Sequence, residues 1–182
     1  MKPRNNDKPL GTPSPTQAAP APPASSADLV IESRSPRQTE KLGRLLADLL
    51  PVGSVVALRG ELASGKTCLV RGMATRFADN ENVSSPTFTL VNQYGHAPTL
   101  YHVDLYRLAG PEELADLGYE DLFEPDGICV VEWAERAEPL LPAKRLDILL
   151  EHVGPGQANT RRITLTNRGL LSPDWQSQFD KR

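Results

Sequence analysis

Gly60-Glu61-Leu62-Ala63-Ser64-Gly65-Lys66-Thr67 decides how this chain folds. The stretch fits the pattern G-x-x-x-x-G-K-[ST], and its flanks give it a structural setting. Ser54-Val55-Val56-Ala57-Leu58 precedes it, a continuous apolar run of the kind found in strands buried on both faces. Lys66 to about Phe77 follows and reads as a helix. A loop in this setting has a mechanism. Its backbone N–H groups form a cradle, and the helix beginning near Gly65 points its positive end at the same place. Lys66 is expected to reach the β- and γ-phosphates of a nucleotide and to act catalytically there. The Thr67 hydroxyl is expected to hold Mg²⁺. Glu61, Leu62, Ala63, Ser64, Gly65 and Cys68 complete the predicted binding loop. Ala63 is the awkward member, because Gly is frequent at its place. If the position needs φ > 0, alanine costs on the order of 1 kcal/mol there.

Upstream, Leu29-Val30-Ile31 reads as a short strand. Ser35-Pro36-Arg37-Gln38 then looks like a helix start, with Ser35 as N-cap, Pro36 at the first helical position and Gln38 closing a capping box. Leu42, Leu45, Leu46, Leu49 and Leu50 recur at helical spacing and should face the core. Pro51 and Gly53 end that helix. Downstream, Phe88 to Val91 and Leu100 to Leu105 are strand-like and predict a hairpin around Gly95 and Pro98. Pro111 to Ala115 is a short helix. Ile128 to Val131 is a buried strand, and Leu146 to Val153 and Arg162 to Thr166 are strands around a Gly154-Pro155-Gly156 turn. Together these predict an α/β fold of three layers, P-loop NTPase-like, with a mixed sheet flanked by helices.

Such a site needs a carboxylate near Mg²⁺, at the C-terminal end of an adjacent strand. Glu132 follows the apolar run Ile128 to Val131, and Asp104 follows Leu100 to Val103; both remain candidates. On the second strand His102, Asp104 and Tyr106 share one face, opposite Tyr101, Val103 and Leu105. Thr87, in Ser84-Ser85-Pro86-Thr87-Phe88-Thr89, sits in a loop that either senses the γ-phosphate as a switch or forms an ordinary Ser-Pro turn.

The 182 residues suit one domain, and a hydrophobic content of 39% suits one core. A net charge of -3 argues against a protein that grips nucleic acid by its own charge. Residues 1 to 27 are rich in Pro, Ala and Ser and predict a disordered tail. Residues 28 to 168 form the expected domain, and 169 to 182 a polar C-terminal tail. No run reaches the ~18 apolar residues of a membrane span. Lys2 and Arg4 are followed by no apolar h-region, so a cytoplasmic location is expected. Cys68 and Cys129 lie in apolar segments, not at metal-ligand spacing, and read as buried, reduced thiols.

In order, the chain carries Gly60 to Thr67, Val70-Arg71-Gly72, Ser85-Pro86-Thr87-Phe88-Thr89-Leu90-Val91, Tyr101-His102-Val103-Asp104-Leu105-Tyr106-Arg107-Leu108 with Pro111-Glu112-Glu113-Leu114, and Val131-Glu132-Trp133. These blocks resemble the TsaE (YjeE) family, the ATPase subunit of bacterial tRNA threonylcarbamoyladenosine biosynthesis, over about residues 29 to 153. The resemblance implies an Mg-ATP-hydrolysing subunit that serves threonylcarbamoylation of adenosine 37 in tRNAs reading ANN codons. Its implied partners are TsaD and TsaB, with tRNA met through that complex and no membrane involved. By the same resemblance Thr67 and Glu132 would be Mg²⁺ ligands, and Asp104 and Thr87 catalytic or switch residues. The helix start around Pro36 to Thr39, Pro36 and Gln38 above all, would lie by the base, and Trp133 beside the site. Where the family reads Gly-Ala before Gly-Lys-Thr, this chain reads Ala63-Ser64. A small-molecule kinase and a nucleotide-dependent binding module with negligible hydrolysis are the alternatives that the loop alone allows. His102, Arg107, Arg161 and Arg162 each admit a site or partner role or a plain structural one. Trp175 and Phe179 read as part of a loose helix or a docking piece.

Overall fold

The computed structural model describes residues 28–78, 83–116 and 118–180; the Pro-rich stretch expected as a tail over 1 to 27 lies outside them. The continuous apolar run before the loop becomes β2 (Ser54–Arg59), flanked by β5 (Ile128–Glu132) and β6 (Leu146–His152), both parallel to it. β1 (Leu29–Ser33), β3 (Val91–Tyr94), β4 (Leu100–Asp104) and β7 (Arg161–Asn167) complete a mixed sheet in the order β1-β7-β6-β2-β5-β4-β3. β4 joins β5 in parallel, while β3, β7 and β1 pair antiparallel at the two edges.

Alternation along β2 divides the core. Val56 and Leu58 meet α1 (Pro36–Leu49) and α2 (Lys66–Ala74) on one face. Val55 and Ala57 meet Leu114 of α3 (Pro111–Ala115), Phe123 of α4 (Glu120–Phe123) and a 3₁₀ segment, Ala134–Leu140, on the other. The result is the three-layer arrangement with the sheet in the middle. Cys129 sits wholly inside it, where burial pushes the thiol up to about 12.

α1 begins as its sequence dictates, with Ser35 Oγ accepting from the Gln38 N–H at 3.3 Å. The capping box differs from expectation on its second side, because Gln38 Oε1 accepts from the Arg34 N–H, one residue before the N-cap, at 2.6 Å rather than from the N–H of Ser35. Leu42, Leu46 and Leu50 are buried, with Leu49 packed at the margin. The hairpin differs from expectation at its start. Phe88 to Leu90 form a turn rather than strand, because Leu90 takes φ 67° and both Thr89 and Leu90 donate back to Pro86 O. Beyond β7 the chain returns over the α1 face, ending in α5 (Ser177–Asp180). Trp175 is 1% exposed there and meets Phe179 edge-on.

Candidate functional site

The parallel strands β2, β4 and β5 end together, and the Gly60–Thr67 loop closes over their carboxyl ends, the side where open α/β sheets bind ligands. The loop is shaped by residues that accept unusual backbone. Gly60 has φ 135°, and a Cβ on it would lie 2.3 Å from Leu150 O, so the loop is pressed against the end of β6. Ala63 has φ 60°, the left-handed conformation that costs a non-glycine residue about 1 kcal/mol. Gly65, at φ 104°, caps α2 and leaves that helix's first N–H groups open to the cleft.

Lys66 Nζ donates to Gly60 O at 2.8 Å and Glu61 O at 3.0 Å, and lies 3.9 Å from the centroid of the Trp133 ring. Burial lowers its pKa, while the carboxylates of Glu132, Glu135 and Asp104 work in the opposite direction. Thr67 Oγ1 donates to Glu132 Oε1 at 2.8 Å, and the same oxygen meets His102 Nε2 at 2.8 Å. His102 Nδ1 is buried with no hydrogen-bond partner. An N–H there would go unpaired at a cost, so the ring carries its hydrogen on Nε2 and donates to Glu132.

Asp104 lies beside Glu132 in the sheet register. Its Oδ2 accepts from Thr87 Oγ1 at 2.8 Å and from Ser85 Oγ, and its Oδ1 accepts from the Tyr106 N–H at 2.9 Å. The Ser-Pro-Thr loop is therefore latched to a carboxylate at the site. Leu62 through Cys68 line one cleft of about 450 Å³ with Ser85, Thr87, Asp104, Tyr106, Glu132 and Trp133. Glu61 contributes its carbonyl to Lys66. Pro36 and Gln38 fall outside that lining: Pro36 O accepts from Cys68 Sγ at 3.3 Å, and Gln38 lines a neighbouring groove between α1 and α2. Arg107 is exposed, its guanidinium 5.3 Å from the Phe88 ring.

The donor set suits Mg²⁺. Among the described residues no group of three or more His, Cys, Asp or Glu stands ready to hold a metal by itself. A hydroxyl and one hard carboxylate face each other at Thr67 and Glu132 instead. Mg²⁺ is commonly held in this way, by one or two carboxylates with phosphate and water supplying the rest.

Sequence reasoning did not single out Ser85, and it left Arg161 open between a site or partner role and a structural one without foreseeing its hold on the loop. Ser85 had a legible signal, since it stands two residues before Thr87 on the same loop. Arg161 had none: it donates to the loop carbonyls of Ser64 and Ala63 from far along the chain.

Comparison with known proteins bears on this geometry. The profile of the family described as "Threonylcarbamoyl adenosine biosynthesis protein TsaE" matches residues 33–163. A Treponema pallidum protein named tRNA threonylcarbamoyladenosine biosynthesis protein TsaE is 43% identical over 133 residues, covering 73% of this chain and 96% of its own. A Bacillus subtilis protein of the same name is 38% identical over 137 residues, covering 74% and 83%. The crystal structure of Bacillus subtilis YdiB superposes with a TM-score of 0.65 at 29% identity, over 85% of this chain and 93% of that one.

Proposed function

The chain belongs to the TsaE family of P-loop nucleotide-binding proteins, and from that premise we propose that it binds and hydrolyses Mg-ATP in support of tRNA threonylcarbamoylation. The modified position is adenosine 37 of tRNAs reading ANN codons. The protein acts on a complex of TsaD and TsaB in the cytoplasm and meets tRNA through that complex. One observation carries the reading: Lys66, the Thr67–Glu132 pair and the latched Asp104 converge on a single cleft above the parallel strands.

Each residue then has a task. Gly65 and the first turn of α2 present N–H groups to the phosphates, and Lys66 binds them from the loop side. Thr67 Oγ1 and Glu132 hold the metal ion. Bound Mg²⁺ neutralises charge on the phosphates. Asp104 orients the attacking water and takes its proton on Oδ1, the oxygen that carries only the Tyr106 main-chain bond. Thr87, bonded to Oδ2, ties the Ser84–Thr89 loop to that carboxylate, so loop and base move together. Trp133 and Tyr106, with ring centroids 5.0 Å apart, wall the cleft beside Lys66.

ATP hydrolysis by the purified protein, alone and then with TsaD, TsaB and tRNA, tests the proposal. A low rate that rises several-fold with the partners, and vanishes in Lys66→Ala, is the expected result. Binding of Mg-ATP with no response to the partners would remove the role in the complex, and phosphoryl transfer to a metabolite would return the kinase.

A further inference from the structure

Arg161 opens β7, in register with Ser33 of β1 and His152 of β6. Its guanidinium is taken up by main-chain carbonyls. Nη1 donates to Ala158 O at 2.7 Å and Thr160 O at 2.8 Å, which anchors the group to its own turn. Nε donates to Ser64 O at 2.8 Å and Nη2 to Ala63 O at 3.1 Å, which reaches across to the phosphate loop. No carboxylate pairs with it among the described residues. Arg161 does not line the cleft, whereas Ser64 and Gly65 do, so it grips the loop from behind.

In a trans peptide the C=O and N–H point in opposite directions. Holding Ser64 O from behind the loop therefore turns the Gly65 N–H toward the cleft. Ala63 O is held in the same way, and the N–H of that peptide, on Ser64, closes the turn to Glu61 O at 3.2 Å. The carbonyls that Arg161 captures belong to the residue at φ 60° and to its successor. That is the stretch where alanine disfavours the conformation the cradle requires. A guanidinium suits the task, since its planar fork makes paired, charge-assisted bonds.

We propose that Arg161 is a positioning residue for nucleotide binding: it holds the Ala63–Ser64 turn in its left-handed form so that the Gly65 N–H is pre-set for phosphate. This rests on the nucleotide-binding reading above. A cradle that is only partly populated lowers apparent affinity by the populated fraction, so the clamp acts on binding without touching the ligand.

Calorimetric titration of the full chain with MgADP, alongside thermal melting, tests this. Arg161→Ala is expected to weaken MgADP about tenfold, and Arg161→Lys, which reaches one carbonyl, less. Adding Ala63→Gly to Arg161→Ala should recover part of the affinity, because glycine accepts the turn without help. The Gly65 amide resonance should move in the ligand-free Arg161→Ala protein. Unchanged affinity in a folded Arg161→Ala variant overturns the proposal. So does a loss that Ala63→Gly leaves untouched, which would make Arg161 a direct ligand contact. If Arg161→Ala does not fold, Arg161→Lys with and without Ala63→Gly decides in the same way. A wild-type chain that fails to bind MgADP sinks the nucleotide-binding reading itself, a result distinct from failure of the clamp.

Discussion

Glu132 Oε1 is shared by the Thr67 hydroxyl and His102 Nε2, and that sharing sets how the proposed metal site behaves. His102 is fully buried and has a single hydrogen-bonding role, to fix the direction of a carboxylate. Groups that orient a metal ligand in this way usually matter by about 10- to 100-fold when removed. His102→Ala should therefore raise the Mg²⁺ concentration needed for half-maximal ADP binding by about tenfold. His102→Gln places an amide donor near the position of Nε2 and should restore most of the wild-type requirement. Titrating Mg²⁺ at fixed ADP measures both. Equal Mg²⁺ dependence in His102→Ala and wild type would reduce the histidine to a packing group. The Asp104 cluster follows the same logic, since two side-chain hydroxyls hold one carboxylate oxygen and leave the other with a single main-chain bond, from Tyr106 N–H.

α1 and α2 cross so closely that two glycines carry the contact. A Cβ on Gly43 would lie 2.1 Å from Leu69 O, and one on Gly72 would lie 2.0 Å from Glu40 O. Both obstacles are helix backbone, which cannot swing aside as a side chain would. Gly43→Ala or Gly72→Ala should destabilise the fold by about 2 kcal/mol or more, even after the ~1 kcal/mol that alanine gains inside a helix. Urea unfolding checks this; a stabilised Gly72→Ala variant would mean the helices stand further apart. These same elements show what the sequence makes legible. β2, the loop and α2 follow from a local pattern: an apolar run, glycines, then helical spacing. β4 and β5 are legible from alternation and an apolar run, and with them the placement of Asp104 and Glu132 at strand ends; that the two strands are neighbours emerges only in the sheet. The start of β3 is not, since Phe88 to Leu90 carry strand-forming residues but are held in a turn by bonds to Pro86. The grip of Arg161 on the loop is equally hidden, because nothing near position 161 announces a partner in residues 63 and 64.

On the scale of the whole molecule, the sheet divides labour between its faces. α1 and α2 cover the face whose strands lead into the phosphate loop, and the short helices cover the other. The first of these layers is completed by the chain's last described segment. Asn167 Oδ1 accepts from the N–H groups of Leu170 and Leu171 at 2.9 and 3.0 Å, and its Nδ2 donates to Leu171 O at 2.9 Å. One side chain thus satisfies the turn that sends the chain back over α1. Composition marks 169 to 182 as polar, yet the fold draws Trp175 into the core beside Leu170, Leu171 and Phe179. One large aromatic contributes more burial than the polar residues around it oppose, since they need only stay in water. Trp175→Ala should accordingly destabilise the domain by about 3–5 kcal/mol, the range for emptying a buried aromatic site. That is a large fraction of the 5–15 kcal/mol typical of a whole domain. The loss should appear as a lower unfolding midpoint, while MgADP affinity measured well below that midpoint stays near wild type, because Trp175 is not among the residues that line the cleft. A Trp175→Ala protein with unchanged stability would detach the C-terminal segment from the core and return it to the role of a docking piece.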